Sequence, residues 1–259
     1  MNRNNLKDLK KWFANYVNGF YTDDPEGNRI IRLKETHTWG VCRNIVMLGK
    51  ALGLSHKEMV LAETMALFHD TGRFKQYAVY GTFNDKASVN HARLGIRQMA
   101  IHRVLSGFTT DEKRLITRAI AYHNAATLPE NEDSNHLFYM RLLRDADKLD
   151  IWQVFIDYYQ ARKKEPNSVI EIGLPDDPLC SPKIVDALHE RRFANIQDLK
   201  TLNDFKLLQI SWVFDLNFTP SFQAVQRRRY IEQIEATLPD SEVITTAVDQ
   251  ARDYLKRFL

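Results

Sequence analysis

The stretch that decides the fold is LFHDTGRF, residues 67–74, in which an apolar run ends on the doublet His69-Asp70. An imidazole and a carboxylate are both ligands that transition metals accept in proteins. A lone His-Asp dipeptide is weak evidence, however, because a chain of 259 residues often contains one by chance. The rest of the sequence must therefore show whether further ligands accompany the doublet.

Four further donor residues stand around the doublet, each on or at the end of a separate predicted helical segment. They are His37 in ETHTWGV, His91 in SVNHARLGI, His123 in IAYHN and Asp147 in RDADKLD. Taken alone, each histidine is more often a capped, hydrogen-bonded or exposed side chain than a metal ligand. The ordered set of six residues is what points to a metal site.

Apolar residues recur at intervals of three and four through most of the chain, which predicts an all-α fold of about nine helices. Ser55 and Glu58 form a capping-box pattern and predict a helix over residues 55–69. Further helix starts are predicted at Asp111, Ser134 and Ser181-Pro182. Breaks dense in turn residues are predicted at 22–28, Gly53, 72–85, 125–133 and 165–182.

Together, the segments quoted around the six donors resemble the HD superfamily of metal-dependent phosphohydrolases, over about residues 30–160. The resemblance implies a helical core in which the first histidine, the doublet and the late aspartate hold one metal ion. His91 and His123 match the additional pair of the dinuclear branches, which include the HD-GYP phosphodiesterases and the HD-fold di-iron oxygenases. The expected fold is therefore all-α, an HD-domain helical core with a C-terminal helical extension.

One internal boundary is expected, in the proline-containing segment 165–182, although that segment is short for a linker between independent domains. We predict an HD-type metal-binding helical domain with an N-terminal helix over residues 1–165. A C-terminal helical subdomain, packed on it, is predicted over residues 166–259. The last helix of the subdomain is expected to be amphipathic, with Val243, Ile244, Ala247, Ala251 and Leu255 on or near one face.

The predicted ligands divide into two sets that share a catalytic Asp70. The first set is His37, His69, Asp70 and Asp147, and the second set is Asp70, His91 and His123. These donors suit Mn, Fe, Co, Ni or Zn, with Mg as a further candidate, and the lack of cysteine ligands argues against a structural zinc. We expect two divalent ions, with a metal-bound hydroxide as the nucleophile at phosphorus.

Two basic residues are expected to act in catalysis and in substrate binding. Arg73 matches the basic residue of the HDIGK-like family signature, which implies that it neutralises a phosphoryl oxygen. The alternative is that Arg73 caps the C-terminal carbonyls of the preceding helix. Lys148 and Asp145 flank Asp147, so either is expected to orient a ligand or to contact the substrate, although the three residues should not all face inward. Glu35 is expected to point elsewhere.

The segment from Phe74 to Asn90 is predicted to be a loop beside the site, and binding residues concentrate in such loops. Its expected substrate contacts are Gln76, Tyr77 and Tyr80, with Lys75, Asp85 and Lys86 as further candidates. The alternative is that its aromatic residues pack the loop onto the helices and its charged residues are solvated.

Several histidines, arginines and cysteines outside the motif are expected to have surface or structural roles. The other histidines are expected to be surface or structural: His56, His102, His136 and His189. The arginines at 227–229 and 191–192 are interpreted as solvated helix faces. Cys42 and Cys180 match no CxxC spacing and are expected to be reduced structural thiols.

Composition narrows the class of ligand. The net charge is +3 and the basic residues are scattered, which argues against nucleic acid and favours a small ligand. The N-terminal sequence lacks the apolar run of a signal peptide, and no stretch approaches the roughly 18 apolar residues of a membrane span. We therefore expect a cytoplasmic protein without a membrane partner, with a homo-oligomer as a further candidate assembly.

The expected function is hydrolysis of a phosphate monoester or diester of a nucleotide or another small phosphorylated metabolite. The chain reads NAATLPE after His123, without a GYP element, which weakens a cyclic di-GMP assignment. Two alternatives stay open. The ligand order also resembles myo-inositol oxygenase and related mixed-valent di-iron oxygenases, and a non-catalytic ligand-sensing protein could retain the same fold.

Overall fold

The structure is a computed structural model that describes residues 3–162 and 171–259, with side chains from residue 6 onward. Within these ranges all regular secondary structure is helical, which confirms the all-α prediction. The chain divides into two compact units, Met1–Asp150 and Ile151–Leu259. The predicted domain boundary between residues 165 and 166 lies outside the described residues.

The helices of the first unit are α1 (Arg3–Asn18), α2 (Pro25–Ala51), α3 (His56–Phe68), α4 (Thr71–Tyr80), α5 (His91–Ile101), α6 (Thr110–Tyr122) and α7 (Ser134–Ala161), which continues beyond the division. The helices of the second unit are α8 (Pro182–His189), α9 (Leu202–Ser211), α10 (Thr219–Arg228), α11 (Tyr230–Glu235) and α12 (Glu242–Lys256). The described residues thus form twelve α-helices, where the sequence predicted about nine. One added break lies at Arg229, whose left-handed φ of 54° separates α10 from α11.

Helix α3 lies at the centre of the first unit. It begins with the predicted capping box, in which the Glu58 carboxylate accepts a hydrogen bond from the backbone N–H of Ser55 at 2.8 Å. Its second half is buried on almost every side, as expected for a helix without a polar face, and α1, α2 and α6 pack around it. Because α3 ends at Phe68, the doublet His69-Asp70 is fixed in the interior.

The segment after the doublet is helical, so the prediction of a loop from Phe74 is wrong for its first part. Helix α4 follows Asp70 directly and ends at Tyr80, after which Gly81 adopts a left-handed φ of 64°. Asp70 is the N-cap residue of α4 but makes no side-chain capping hydrogen bond, and Gly72 in the first turn was interpreted as part of a break.

Gly72 allows α4 and α5 to approach each other closely. A Cβ atom at Gly72 would overlap the carbonyl oxygen of His91 and would lie 2.6 Å from the backbone nitrogen of Gly95. Both neighbours are backbone atoms of α5, which cannot rotate out of the way as a side chain can. The glycine therefore places the doublet next to the first residue of α5.

Replacing Gly72 with alanine is expected to lower the free energy of unfolding by at least about 2 kcal/mol, because α4 and α5 must separate to admit the methyl group. Gly19→Ala is the matched control, since a Cβ atom there meets only the carbonyl oxygen of Tyr16, at 3.4 Å. Urea unfolding of both variants measures the difference. Equal stability of the two variants would contradict the close approach of these helices.

The second unit has its own apolar core around Trp152. The indole N–H of Trp152 donates to the carbonyl oxygen of Gln209 at 3.0 Å, and its ring lies 5.7 Å from those of Trp212 and Tyr230. Among the described residues, no helix is both long enough and apolar enough to cross a membrane.

Helix α12 is amphipathic, as predicted, and its apolar face belongs to the core of the second unit. The buried residues of the helix are Ile244, Ala247, Val248, Ala251 and Leu255. The prediction is wrong for Val243, which is 58% exposed. The buried stripe has helical spacing from Ile244 onward, and Val243 falls one position outside it.

Candidate metal centre

The six predicted ligands lie together inside the first unit. They are His37 within α2, His69 and Asp70 between α3 and α4, His91 at the start of α5, His123 after α6, and Asp147 within α7. All six side chains are largely buried, and the most accessible is that of Asp147, at 14%. Five separate chain segments thus bring their donor groups to one place.

Two of the histidines are oriented by backbone carbonyls. Nδ1 of His69 donates to the carbonyl oxygen of Ala66 at 2.8 Å, and Nδ1 of His123 donates to that of Ile120 at 2.7 Å. Because a carbonyl oxygen can only accept, Nδ1 carries the proton in both rings. In the neutral ring, Nε2 then keeps a lone pair that is free to bind a metal.

The other two histidines are oriented by carboxylates. Nδ1 of His37 lies 2.8 Å from Asp150 Oδ2, and Nδ1 of His91 lies 2.7 Å from Asp85 Oδ2. A carboxylate in this position holds the ring, favours the proton on Nδ1 and makes Nε2 more basic. All four histidines therefore present Nε2 to the centre of the cluster.

Asp70 faces one pair of histidines with each of its oxygens. Oδ2 lies 3.8 Å from Nε2 of both His37 and His69. Oδ1 lies 3.2 Å from Nε2 of His91 and 3.8 Å from Nε2 of His123. The cluster is thus two adjacent groups of donor atoms that share one carboxylate.

The donor atoms are arranged as a cation would require. Nε2 of His91 lies 3.0 Å from that of His123, so that their lone pairs face one another when both rings are neutral, and Nε2 of His37 lies 3.4 Å from that of His69. Oδ1 of Asp147 is buried 3.1 Å from Nε2 of His37 and has no aligned hydrogen-bond partner. Facing lone pairs and an unsatisfied carboxylate oxygen are unfavourable unless a cation binds them, so the donor set fits a divalent transition metal.

The carboxylates of the cluster favour their charged forms. Burial raises the pKa of Asp70, but Lys34 and the neighbouring histidines outweigh burial and hold it well below its usual range. Burial also acts on Asp85, where the hydrogen bond with His91 prevails and lowers the pKa to about 2. Charged carboxylates are the form that binds a metal ion.

His37 and His69 differ in their pKa values. Burial lowers the pKa of His69 to about 4, so this ring is neutral at neutral pH. Burial also acts to lower the pKa of His37, but the nearby carboxylates of Asp147 and Asp150 outweigh it and raise the pKa to about 9. A metal ion at this position would therefore displace a proton from His37.

Arg73 lies at the cluster and not on the carbonyls that end α3. Its Nη1 donates to Gln76 Oε1 and Asp85 Oδ1 at 2.9 Å and to the carbonyl oxygen of Phe83 at 2.5 Å. Its Nε is buried 3.5 Å from Asp70 Oδ1 and has no hydrogen-bond partner. The capping alternative does not describe these contacts, and Arg73 holds a charged N–H group beside the shared carboxylate.

The other residues predicted to contact substrate differ in their solvent exposure. Gln76 is fully buried, and its amide nitrogen donates to three groups of the segment between α4 and α5, among them Asp85 at 2.9 Å. Tyr77 is half-buried, with its ring 5.3 Å from that of Phe83. The exposed members of the set are Tyr80, Lys75 and Lys86.

Helix α7 buries more of its charged residues than expected. Asp145 and Lys148 are buried and Asp147 is largely so, whereas the sequence indicated that the three would not all face inward. The expectation was wrong because α7 is enclosed on all sides at this level, where every residue from 144 to 150 is buried or nearly so. A contact of Lys148 with substrate stays a prediction.

Three residues of the centre were not assigned these roles from the sequence. Asp150 holds His37, Lys34 donates to Asp70 Oδ2 at 2.9 Å, and Asp85 holds His91. A helical signal was available for the first two. Lys34 stands one turn before His37, and Asp150 stands one turn after Asp147, so each shares a helix face with a ligand.

The remaining candidates lie outside the cluster. Glu35 accepts a hydrogen bond from the Tyr21 hydroxyl at 2.7 Å. His102 packs against the rings of Trp12 and Tyr16, which is a structural role. The exposed histidines are His56, His102 and His189, and His136 pairs with Asp133.

Replacing Asp85 with asparagine is expected to weaken binding of one of two metal ions by about 10- to 100-fold, because His91 loses the carboxylate that orients it. Asp111→Asn, an exposed substitution at the start of α6, is the control. Calorimetric titration of the metal-free variants with Mn²⁺ measures the two sites. Two unchanged binding events in Asp85→Asn would show that Asp85 does not support the second group.

Comparison with known families agrees with this geometry. The family model of the HD domain matches residues 35–152, a span that contains all six clustered residues and both Asp85 and Asp150. No curated protein and no solved structure is detectably similar to the chain. HD domains form a superfamily of metal-dependent hydrolases that bind divalent metals. Residues 35–152 are therefore an HD domain.

Proposed function

We propose that this HD domain is a metal-dependent phosphohydrolase that cleaves a phosphate monoester or diester of a nucleotide or another small phosphorylated metabolite. The observation that carries the proposal is the division of the cluster into two donor groups that share Asp70. The group of His37, His69, Asp70 and Asp147 would hold one divalent ion, and the group of Asp70, His91 and His123 would hold a second.

Two such ions, when bound, lower the pKa of water from about 15.7 toward 7 and stabilise both the attacking and the leaving oxygens of an in-line displacement. The protein supplies orientation and charge. Asp150 and Asp85 hold the rings of His37 and His91, so the ligands need little rearrangement. Arg73 presents an unpaired Nε–H beside Asp70, where it can donate to a phosphoryl oxygen.

Phosphate release under anaerobic conditions tests this function. Metal-free protein is reloaded with Mn²⁺, Fe²⁺, Co²⁺, Ni²⁺, Zn²⁺ or Mg²⁺ and offered a panel of nucleotides, sugar phosphates and nitrophenyl esters. We expect release that requires the metal and proceeds without oxygen. Consumption of oxygen with no phosphate release would favour the di-iron oxygenase alternative, and bound metal without turnover of any substrate would favour the ligand-sensing alternative.

A further inference from the structure

Lys34 is a charged residue at the centre that the proposed ligand sets do not use. It lies on α2 one turn before His37, and 20% of its side chain is accessible. Its ammonium group donates to Asp70 Oδ2 at 2.9 Å, and it also lies 5.3 Å from the centre of the Phe83 ring. A lysine held this close to the shared carboxylate bears directly on what that carboxylate can bind.

The contact between Lys34 and Asp70 competes with a metal ion for the same oxygen. Oδ2 is the oxygen that faces His37 and His69, so an ion bound there would lie close to the ammonium group. Two cations at this separation repel one another in a poorly solvated site. The ammonium group would then be stabilised by a new anionic partner.

Arg73 approaches the other oxygen of the same carboxylate. Its Nε lies 3.5 Å from Asp70 Oδ1, and its guanidinium carbon lies 5.7 Å from the centre of the Phe83 ring. The Phe83 ring thus lies near both Lys34 and Arg73, and these two side chains approach different oxygens of Asp70. An anion bound beside Asp70 would meet a positively charged donor on each side.

The charge of the centre indicates which anion would fit. Two divalent ions, Lys34 and Arg73 together bring six positive charges, and the carboxylates of Asp70, Asp147, Asp85 and Asp150 offset four of them when the imidazoles are neutral and the attacking water has not lost its proton. The surplus of two is matched by a dianion. A phosphate monoester is largely dianionic at pH 7, because its second pKa is about 6, whereas a diester carries a single negative charge.

We propose that Lys34 is a substrate-binding residue that donates to a phosphoryl oxygen opposite Arg73, and that the substrate is a phosphate monoester. The proposal rests on the proposed function and narrows its substrate class. It assigns to Lys34 a contact with Asp70 in the metal-free protein and a contact with the substrate when the ions are bound.

Calorimetric titration of the metal-loaded protein with inorganic phosphate tests Lys34 without turnover. Lys34→Met is expected to weaken phosphate binding by at least about tenfold, and Lys34→Arg by no more than about threefold. Lys50→Met, an exposed substitution in the last turn of the same helix, is the control and should bind as the wild type does. Metal content by elemental analysis should be the same in all four proteins.

Several results would overturn the proposal. Wild-type affinity for phosphate in Lys34→Met would exclude the contact, as would a wild type that binds metal but no phosphate. Loss of metal from Lys34→Met would make Lys34 a support for the ligands. Bis(4-nitrophenyl) phosphate cleaved faster than 4-nitrophenyl phosphate would contradict the monoester assignment. A wild type that binds phosphate through Lys34 but hydrolyses no ester would refute only the proposed function.

Discussion

Replacing Asp70 with alanine is expected to remove both metal ions and to lower phosphate release by at least about 1,000-fold, which corresponds to about 4 kcal/mol of transition-state stabilisation. The reason is that each oxygen of Asp70 faces one pair of histidine nitrogens, at 3.2 to 3.8 Å. Asp147 also has a ligand atom within 4.8 Å of those of His69 and His123, one histidine from each pair, but Asp70 alone is a member of both proposed metal sites. Elemental analysis of the purified variant measures the loss directly.

The control for this substitution must show that the fold survives. Asp70 precedes the first residue of α4 without a side-chain capping bond, so its removal costs the helix no cap. We therefore expect Asp70→Ala to keep the helical circular dichroism of the wild type. A folded variant that retains its full complement of metal would refute the shared role of Asp70.

Replacing His91 with alanine is expected to remove one ion and to leave the other. Nε2 of His91 belongs to the group around Asp70 Oδ1, and the group around Oδ2 includes no atom of this residue. Phosphate release should fall by at least about 100-fold, because a single ion stabilises only part of the charge that develops at phosphorus. Metal titration by calorimetry distinguishes one binding event from two.

A substitution in the other donor group provides the comparison for His91→Ala. His37→Ala should remove the other ion, while His56→Ala, on an exposed histidine at the start of α3, should leave both. If His91→Ala keeps the stoichiometry of the wild type, the centre is mononuclear and His91 lies outside it. If both His91→Ala and His37→Ala lose all metal, the two groups do not bind independently.

The clustering of the six candidate ligands could be predicted from sequence because the prediction rests on residue type and order. Histidine and aspartate are common ligands of transition metals, and the helical pattern around His69-Asp70 placed the doublet at the end of a buried helix. The capping box of Ser55 and Glu58 was equally local, since its two partners are three residues apart. Local chemistry of this kind is visible without coordinates.

The residues that hold the ligands could not be predicted in the same way. Asp150 meets His37 across 113 positions of the chain, and Lys34 meets Asp70 across 36. Only the packing of α2 against α7 and the doublet decides which charged residue reaches which ligand. Asp85, which lies in the loop between α4 and α5, was a further candidate for a substrate contact; the structure pairs it with His91.

The path of the chain after His69-Asp70 could not be predicted from sequence for a similar reason. Gly72 indicated a break, yet it lies in the first turn of α4, where its missing side chain permits the contact with α5. Sequence distinguishes a glycine that ends a helix from one that admits a neighbouring helix only when that neighbour is known. The same reason accounts for Val243, whose exposure depends on how α12 is turned against its core.

The central claim is that one carboxylate joins two metal sites, and the stoichiometry of the wild-type protein tests it most directly. Metal-free protein is loaded with Mn²⁺, freed of excess metal by gel filtration and analysed for metal and protein. We expect two ions per chain. A stoichiometry of one or fewer, reached at saturating Mn²⁺ and with the same result for Fe²⁺ and Zn²⁺, would contradict it.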